Sequence, residues 1–182
     1  DLKEVYCGLD CQMLLYLFSL TRDGSGRFTG AEPAGVLYLL ADPAPENTTR
    51  ANAARSVEYK LDGLVRDEQK LFRAMDADET GRYLPFSYLR GVPSPYQKDK
   101  RADSAKLDRI RLHLDDLVTR MGEQLYGGQI AAEPLVTGRS PCLWCDYSFI
   151  CCHESGIGER ALDAPAKPFE APEETEKKEE QP

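Results

Sequence analysis

The 182-residue chain contains no apolar run near the roughly 18 residues that a membrane-spanning helix needs. Its longest such stretch, Met13 to Leu20, is interrupted by Tyr16 and Ser19 and suits a buried helix. It has no internal repeat. The first residue is Asp1 and no signal or transit peptide opens the chain, so the sequence reads as a piece of a longer protein. Its six cysteines are not spread as in a secreted disulfide scaffold: Cys142, Cys145, Cys151 and Cys152 fall within one eleven-residue stretch. That clustering points to a metal centre in a reducing, cytoplasmic compartment.

What is present suffices for one ordinary domain. A hydrophobic content of 41% can build a core of that size. The formal charge of −8 argues at first against a nucleic-acid partner, but its distribution weakens the objection. Between Glu170 and Glu180 the acids outnumber Lys177 and Lys178 enough to supply −4 of the total. The rest is mildly acidic, and affinity for DNA follows local phosphate neutralisation rather than net charge.

Along the chain, Leu9, Gln12, Met13, Tyr16, Leu17 and Leu20 recur at helical spacing. Leu14, Leu15 and Phe18 make the other side apolar too, so this helix is expected to be packed on several sides and to end at residues 21–26. Residues 35–40 read as a buried strand, 43–54 as a loop, and 56–61 as a half-exposed strand with 63–65 as its continuation. Asp67 is placed to cap a short helix carrying Leu71, Phe72 and Met75. Residues 76–102 look like an irregular connection.

The longest helix is expected from Ser104 to Tyr126, capped by Asp103 and stopped by Gly127-Gly128. Lys106, Arg109, Arg111 and Arg120 lie off its apolar stripe, as a solvated face or, less commonly, a DNA-facing one. Residues 128–135 should be extended. Beyond Gly158 the Ala-, Pro-, Glu- and Lys-rich composition predicts disorder.

The segment from Pro141 to His153 is the most informative. The C-x2-C pair Cys142/Cys145 lets two thiolates converge from a tight turn, and Cys151 can return as a third ligand. Trp144, Tyr147, Phe149 and Ile150 would shield such a centre from water. A tetrahedral zinc site with Cys152 or His153 as fourth ligand competes with an iron–sulfur cluster, and spacing alone does not separate them. A thioredoxin-like redox pair is weakly supported, because no βαβ unit frames the motif. Cys7 and Cys11, four residues apart, could share a helix face as core residues.

Two segments together resemble a known family. Gly8 to Leu17, with Gln12 and Tyr16, looks like the Gln-x3-Tyr motif of RecB-type PD-(D/E)XK nucleases, and Cys142-x2-Cys145-x5-Cys151 looks like the cysteine triplet of their iron–sulfur members. The order of residues 33–38, residues 59–64 and the long helix before Cys142 resembles the AddB branch of bacterial ATP-dependent helicase/deoxyribonucleases. The resemblance implies an α/β nuclease domain over residues 1–160, with a cluster-binding segment at 141–153 and an acidic tail at 161–182. It implies cleavage of one DNA strand in double-strand-break repair by homologous recombination, with an AddA-like motor subunit as partner.

By the same resemblance, Cys142, Cys145 and Cys151 are three of the four ligands of a [4Fe–4S] cluster, and the fourth lies upstream. Cys152 has no assigned role. The acids that hold Mg²⁺, which activates water and stabilises charge on the phosphate, also fall before Asp1, leaving the fragment inactive alone. Gln12 and Tyr16 carry over as catalytic-site residues, on one helix face by their i, i+4 spacing. Without the resemblance, a Gln and a Tyr in an apolar helix are core residues with satisfied polar ends. The alternatives are a CRISPR-associated exonuclease of the same fold and a non-catalytic zinc-binding interaction module.

Overall fold

The computed structural model describes residues 1–22, 26–39, 61–138 and 140–171. Their helices are α1 (Leu2–Tyr6), α2 (Gln12–Arg22), α3 (Gln69–Met75), α4 (Ser104–Tyr126) and α5 (Ser148–Cys151). Their strands are β1 (Gly35–Leu39), β2 (Leu61–Arg66), β3 (Tyr88–Leu89), β4 (Val92–Pro93), β5 (Arg101–Ala102), β6 (Leu135–Val136) and β7 (Arg160–Ala161). No helix among these residues is long and apolar enough to cross a membrane. The chain divides into two compact units, one of residues 1–11 and 109–182, the other of residues 12–108.

The unit of residues 12–108 is built on a mixed three-stranded sheet in the order β1-β2-β5, antiparallel between β1 and β2 and parallel between β2 and β5. Val36 lies opposite Leu64, and both are buried. Gly63 faces Leu37 at a φ of +140°, and a side chain there would collide with the Val36 carbonyl. Val65, Phe72, Leu84 and Phe86 form the core, with Leu37, Met75 and Tyr88 packed against it. Phe72 meets Phe86 edge-on at a centroid separation of 4.9 Å, a favourable aromatic arrangement.

The opening stripe of apolar residues is not one helix. Gly8 at a φ of +91° and Asp10 at +51° break it into α1 and α2, and Leu9 falls in the turn between them. A side chain at Gly8 would stand 3.2 Å from the Met121 methyl and 3.3 Å from Leu117, so the turn is close-packed as well as left-handed. Nor is α2 packed on several sides: Leu14 and Phe18 are buried, whereas Met13, Tyr16 and Leu20 are exposed. Cys7 and Cys11 sit in the turn rather than on one helix face, and both are half-buried. Cys11 Sγ donates to the Leu9 carbonyl at 3.2 Å, and burial followed by the Asp10 charge pushes its thiol pKa up.

Other expectations divide in the same way. β1 ends at Leu39 and is half-exposed rather than buried, because Tyr38 and Leu39 face solvent. Of the expected strand at 56–61 only Leu61 lies among the described residues, where it opens β2; the 43–54 loop lies outside them. Asp67 does not cap α3. Glu68 holds the cap position without a side-chain bond, and Asp67 instead accepts from Arg101 at 3.1 and 3.2 Å. Within 76–102 the chain is ordered: Tyr88–Pro93 forms a two-strand hairpin and Pro95–Lys100 a 3₁₀ turn.

α4 runs over the expected residues. Asp103 accepts from the Lys106 N–H at 2.6 Å, and Gly128 at a φ of +75° terminates the chain's helical course. In the unit of residues 1–11 and 109–182, the buried side chains include Val5, Ile110, Leu114 and Phe169. Phe169 belongs to the stretch read as a disordered tail. Residues 160–161 nevertheless pair in parallel with β6, and Phe169 packs against Tyr6 and His113. The part of that tail from residue 172 lies outside the described residues.

Candidate functional site

The two residues singled out for a nuclease role open α2. Their i, i+4 spacing places them one above the other, and Gln12 Nε2 donates to the Tyr16 hydroxyl oxygen at 2.9 Å. Both are exposed, Tyr16 to 55%, so neither is a core residue with a satisfied polar end. The amide oxygen of Gln12 and the hydroxyl proton of Tyr16 remain outward-facing groups. An amide and a phenol held together in this way can bind an anionic oxygen or orient a water molecule.

The charges beside the apolar stripe of α4 are engaged within the protein. Arg109 Nε donates to the Phe169 carbonyl at 2.7 Å, Arg120 pairs with Asp116 at 2.9 Å and Arg111 with Asp115 at 3.5 Å. Lys106 is buried. These partners favour a structural and solvated face over one that meets DNA.

The cysteine segment is a compact turn followed by a short helix. Ser140 caps the 3₁₀ turn Pro141–Trp144 by accepting from the Cys142 N–H at 3.3 Å. The Cys145 N–H returns to the Cys142 carbonyl at 3.4 Å, and the Ser148 N–H reaches the Cys145 carbonyl at 3.2 Å. Cys151 ends α5, and Cys152 follows in the left-handed conformation at a φ of +52°. All six cysteines are free thiols.

These thiols have the soft donor chemistry that iron–sulfur clusters and zinc require. Among the described residues, however, no three His, Cys, Asp or Glu side chains are gathered so as to hold a metal ion. The expected hydrophobic shield is also open, with Trp144, Tyr147, Phe149 and Ile150 each more than 60% exposed. His153 is different: its side chain is 10% exposed, and its buried Nε2 has no hydrogen-bond partner, Glu159 standing 3.9 Å away.

The sequence profile of the PD-(D/E)XK nuclease superfamily matches residues 1–152, which include α1, α2, the mixed sheet, α4 and the cysteine segment. The chain belongs to this superfamily. As a PD-(D/E)XK nuclease domain it combines helices with a mixed sheet, in keeping with an α/β fold. It is 31% identical, over 89% of its length, to the B subunit of the ATP-dependent helicase/deoxyribonuclease of Symbiobacterium thermophilum, of which it covers 15%. It is 30% identical to the protein of that name from Bacillus subtilis, over 87% of this chain and 14% of the relative. The protein of that name from Thermoanaerobacter sp. (strain X514) is 27% identical over 86% of this chain and 14% of its own length. The chain thus spans about one seventh of the length of the curated relatives it matches.

For this nuclease domain, sequence reasoning finds the Gln12–Tyr16 pair but passes over the stretch from Arg82 to Arg101. That stretch holds five Lys and Arg residues against the single acid Asp99, in a chain of net charge −8. The local surplus of positive charge is the signal, and the prolines and glycines that suggest an irregular connection mask it.

Proposed function

We propose that this chain is the nuclease domain of an AddB-type ATP-dependent helicase/deoxyribonuclease, hydrolysing DNA phosphodiester bonds with Mg²⁺. The observation that carries the reading is the solvent-facing Gln12–Tyr16 pair within the superfamily match. In this reading Gln12 and Tyr16 bind the DNA backbone or the attacking water beside the reacting phosphate. The Mg²⁺ ion, when bound, activates water and offsets the charge that develops on the phosphate. Its ligands are sought outside the described residues, because no acidic cluster of the required kind is gathered among them.

The names of the relatives extend the reading to DNA as substrate and a motor subunit of AddA type as partner, in cytoplasmic double-strand-break repair by recombination. Cys142, Cys145 and Cys151 would hold three corners of a [4Fe–4S] cluster, which supplies a covalent cross-link between distant parts of the chain rather than a reacting group. The test is cleavage of linear DNA by the intact protein with its partner. Degradation that needs Mg²⁺ and ATP and stops in EDTA supports the enzyme; binding without cleavage leaves an interaction module.

One observation favours a second reading, the zinc-binding module. His153 Nε2 is buried and unpartnered, as an imidazole awaiting a metal would be. One zinc per chain, with no iron and no sulfide, would select it.

A further inference from the structure

Three stretches of the 12–108 unit meet at Ser87. Its carbonyl accepts from the Ser94 N–H at 2.9 Å, and its own N–H and hydroxyl both donate to Gln97 Oε1, each at 2.9 Å. Gly81 approaches from a third side, where an added Cβ would stand 3.1 Å from Ser87 Cα. Tyr83 and Tyr96 lie two residues and one residue from these anchor points, so both rings rise from one locality. Tyr83 is 52% exposed and Tyr96 86% exposed.

Positive charge accompanies the rings. The Arg82 guanidinium lies 5.6 Å from the centre of the Tyr83 ring. Arg90 occupies the tip of the β3–β4 hairpin, where Arg90 and Gly91 both have positive φ, 55° and 77°. A two-residue turn of that kind favours Asn-Gly, so an arginine is kept there against its conformational preference. Arg90 and Lys98 are exposed and form no ion pair among the described residues. Lys100 and Arg101, by contrast, are engaged by Asp62 and Asp67.

Exposed rings beside unpaired cations suit a strand whose bases are free to stack and whose phosphates need neutralising. A duplex keeps its base faces stacked inside and offers the tyrosines nothing to meet. We propose that residues 82–98 form a contact surface for single-stranded DNA, with Tyr83 and Tyr96 as stacking platforms and Arg90 and Lys98 as phosphate contacts. The inference rests on the nuclease reading and deepens it, because it states that this domain grips a displaced strand.

The test uses the intact protein in EDTA, where no cleavage occurs, with a 4-thiothymidine-substituted oligothymidylate as photo-crosslinker. Adducts are expected on the peptides carrying Tyr83 and Tyr96, competed by unlabelled single strand and not by duplex. Tyr83→Ala/Tyr96→Ala should lose those adducts and weaken oligothymidylate binding by about tenfold or more. Tyr83→Phe/Tyr96→Phe should keep both, since a phenyl ring stacks equally well. Arg90→Gln/Lys98→Gln should lower the slope of log affinity against log salt by about 1.4, at about 0.7 per single-strand phosphate contact.

Adducts found only elsewhere would overturn the surface while leaving the nuclease reading intact. The same holds if the alanine variants lose a protein partner yet keep their adducts, which would assign the patch to that partner. Absence of any DNA binding would remove the nuclease reading itself, and the proposal with it. The crosslink map of the unmodified protein decides the matter even if a variant fails to fold.

Discussion

The ring of His113 lies nearly parallel to that of Tyr6, with centroids 4.6 Å apart and planes inclined by 15°, and Phe169 meets it edge-on at 5.3 Å. His113 Nε2 is also 2.8 Å from the Tyr6 carbonyl oxygen. The trio ties α1 to the middle of α4 and to residues far along the chain, so the segment up to Phe169 is part of the folded unit.

Phe169→Ala should therefore destabilise the protein by about 3 kcal/mol, the cost of emptying a buried aromatic site. Chemical denaturation of the intact protein measures it. A loss below about 0.5 kcal/mol would return residues 159–171 to the status of a tail.

The core of the 12–108 unit makes a second claim. Phe72, 2% exposed, should cost about 3–5 kcal/mol on replacement by alanine, whereas Leu39, 61% exposed on β1, should cost less than about 0.5 kcal/mol. The Phe72→Ala and Phe86→Ala effects should also be non-additive, because the two rings touch. Independent effects would contradict the packing.

A pH effect follows from Asp62. The hydrogen bond from Lys100 at 2.6 Å, aided by one from the Gly63 N–H, lowers its carboxyl pKa below the ordinary 3.8. A carboxyl depressed in the folded state adds stability above its unfolded value, and that stability is lost as pH falls through the folded value. Asp62→Asn should be less stable than the wild type at pH 6, and the gap should close as pH falls below about 3.8. Denaturation curves across that range check it, and a gap that does not narrow at low pH would contradict it. The side chain is 57% exposed, so the effect is small.

The cysteine segment gives a sharper contrast. Protein purified without oxygen should be brown and contain iron and sulfide. Replacing Cys142, Cys145 or Cys151 by serine should remove them, whereas Cys152→Ser, Cys7→Ser and Cys11→Ser should not. Zinc in place of iron would contradict the cluster and favour His153 as a ligand.

Much of this is legible in the sequence, for reasons that differ by element. α4 can be bounded because its apolar stripe, its Asp103 cap and its Gly127-Gly128 stop all agree on the same limits. The break between α1 and α2 cannot be seen, because Leu9 keeps the helical spacing even though Gly8 and Asp10 turn the backbone left-handed. Asp67 reads as a cap because a local bond is all that sequence reveals. Its actual partner, Arg101, arrives through the parallel pairing of β2 with β5.

Burial is the least legible property. Tyr16 and Leu14 are equally apolar in their spacing, yet one is 55% and the other 4% exposed, because only one edge of α2 packs beside β1. The motif at Gln12 and Tyr16 is recognisable by residue type and spacing, but its exposure, which makes it available to a substrate, comes only from the structure.

The most direct measurement compares cleavage of end-labelled linear DNA by the intact protein, with partner, ATP and Mg²⁺, before and after changing Gln12 and Tyr16. Gln12→Ala and Tyr16→Ala should each lower the cleavage rate by about tenfold or more, the worth of a hydrogen bond to a charged group, while stability changes by less than about 0.5 kcal/mol. Cleavage unchanged in both variants would contradict the assignment of this pair to the nuclease site, and absence of Mg²⁺-dependent cleavage in the unmodified protein would contradict the account as a whole.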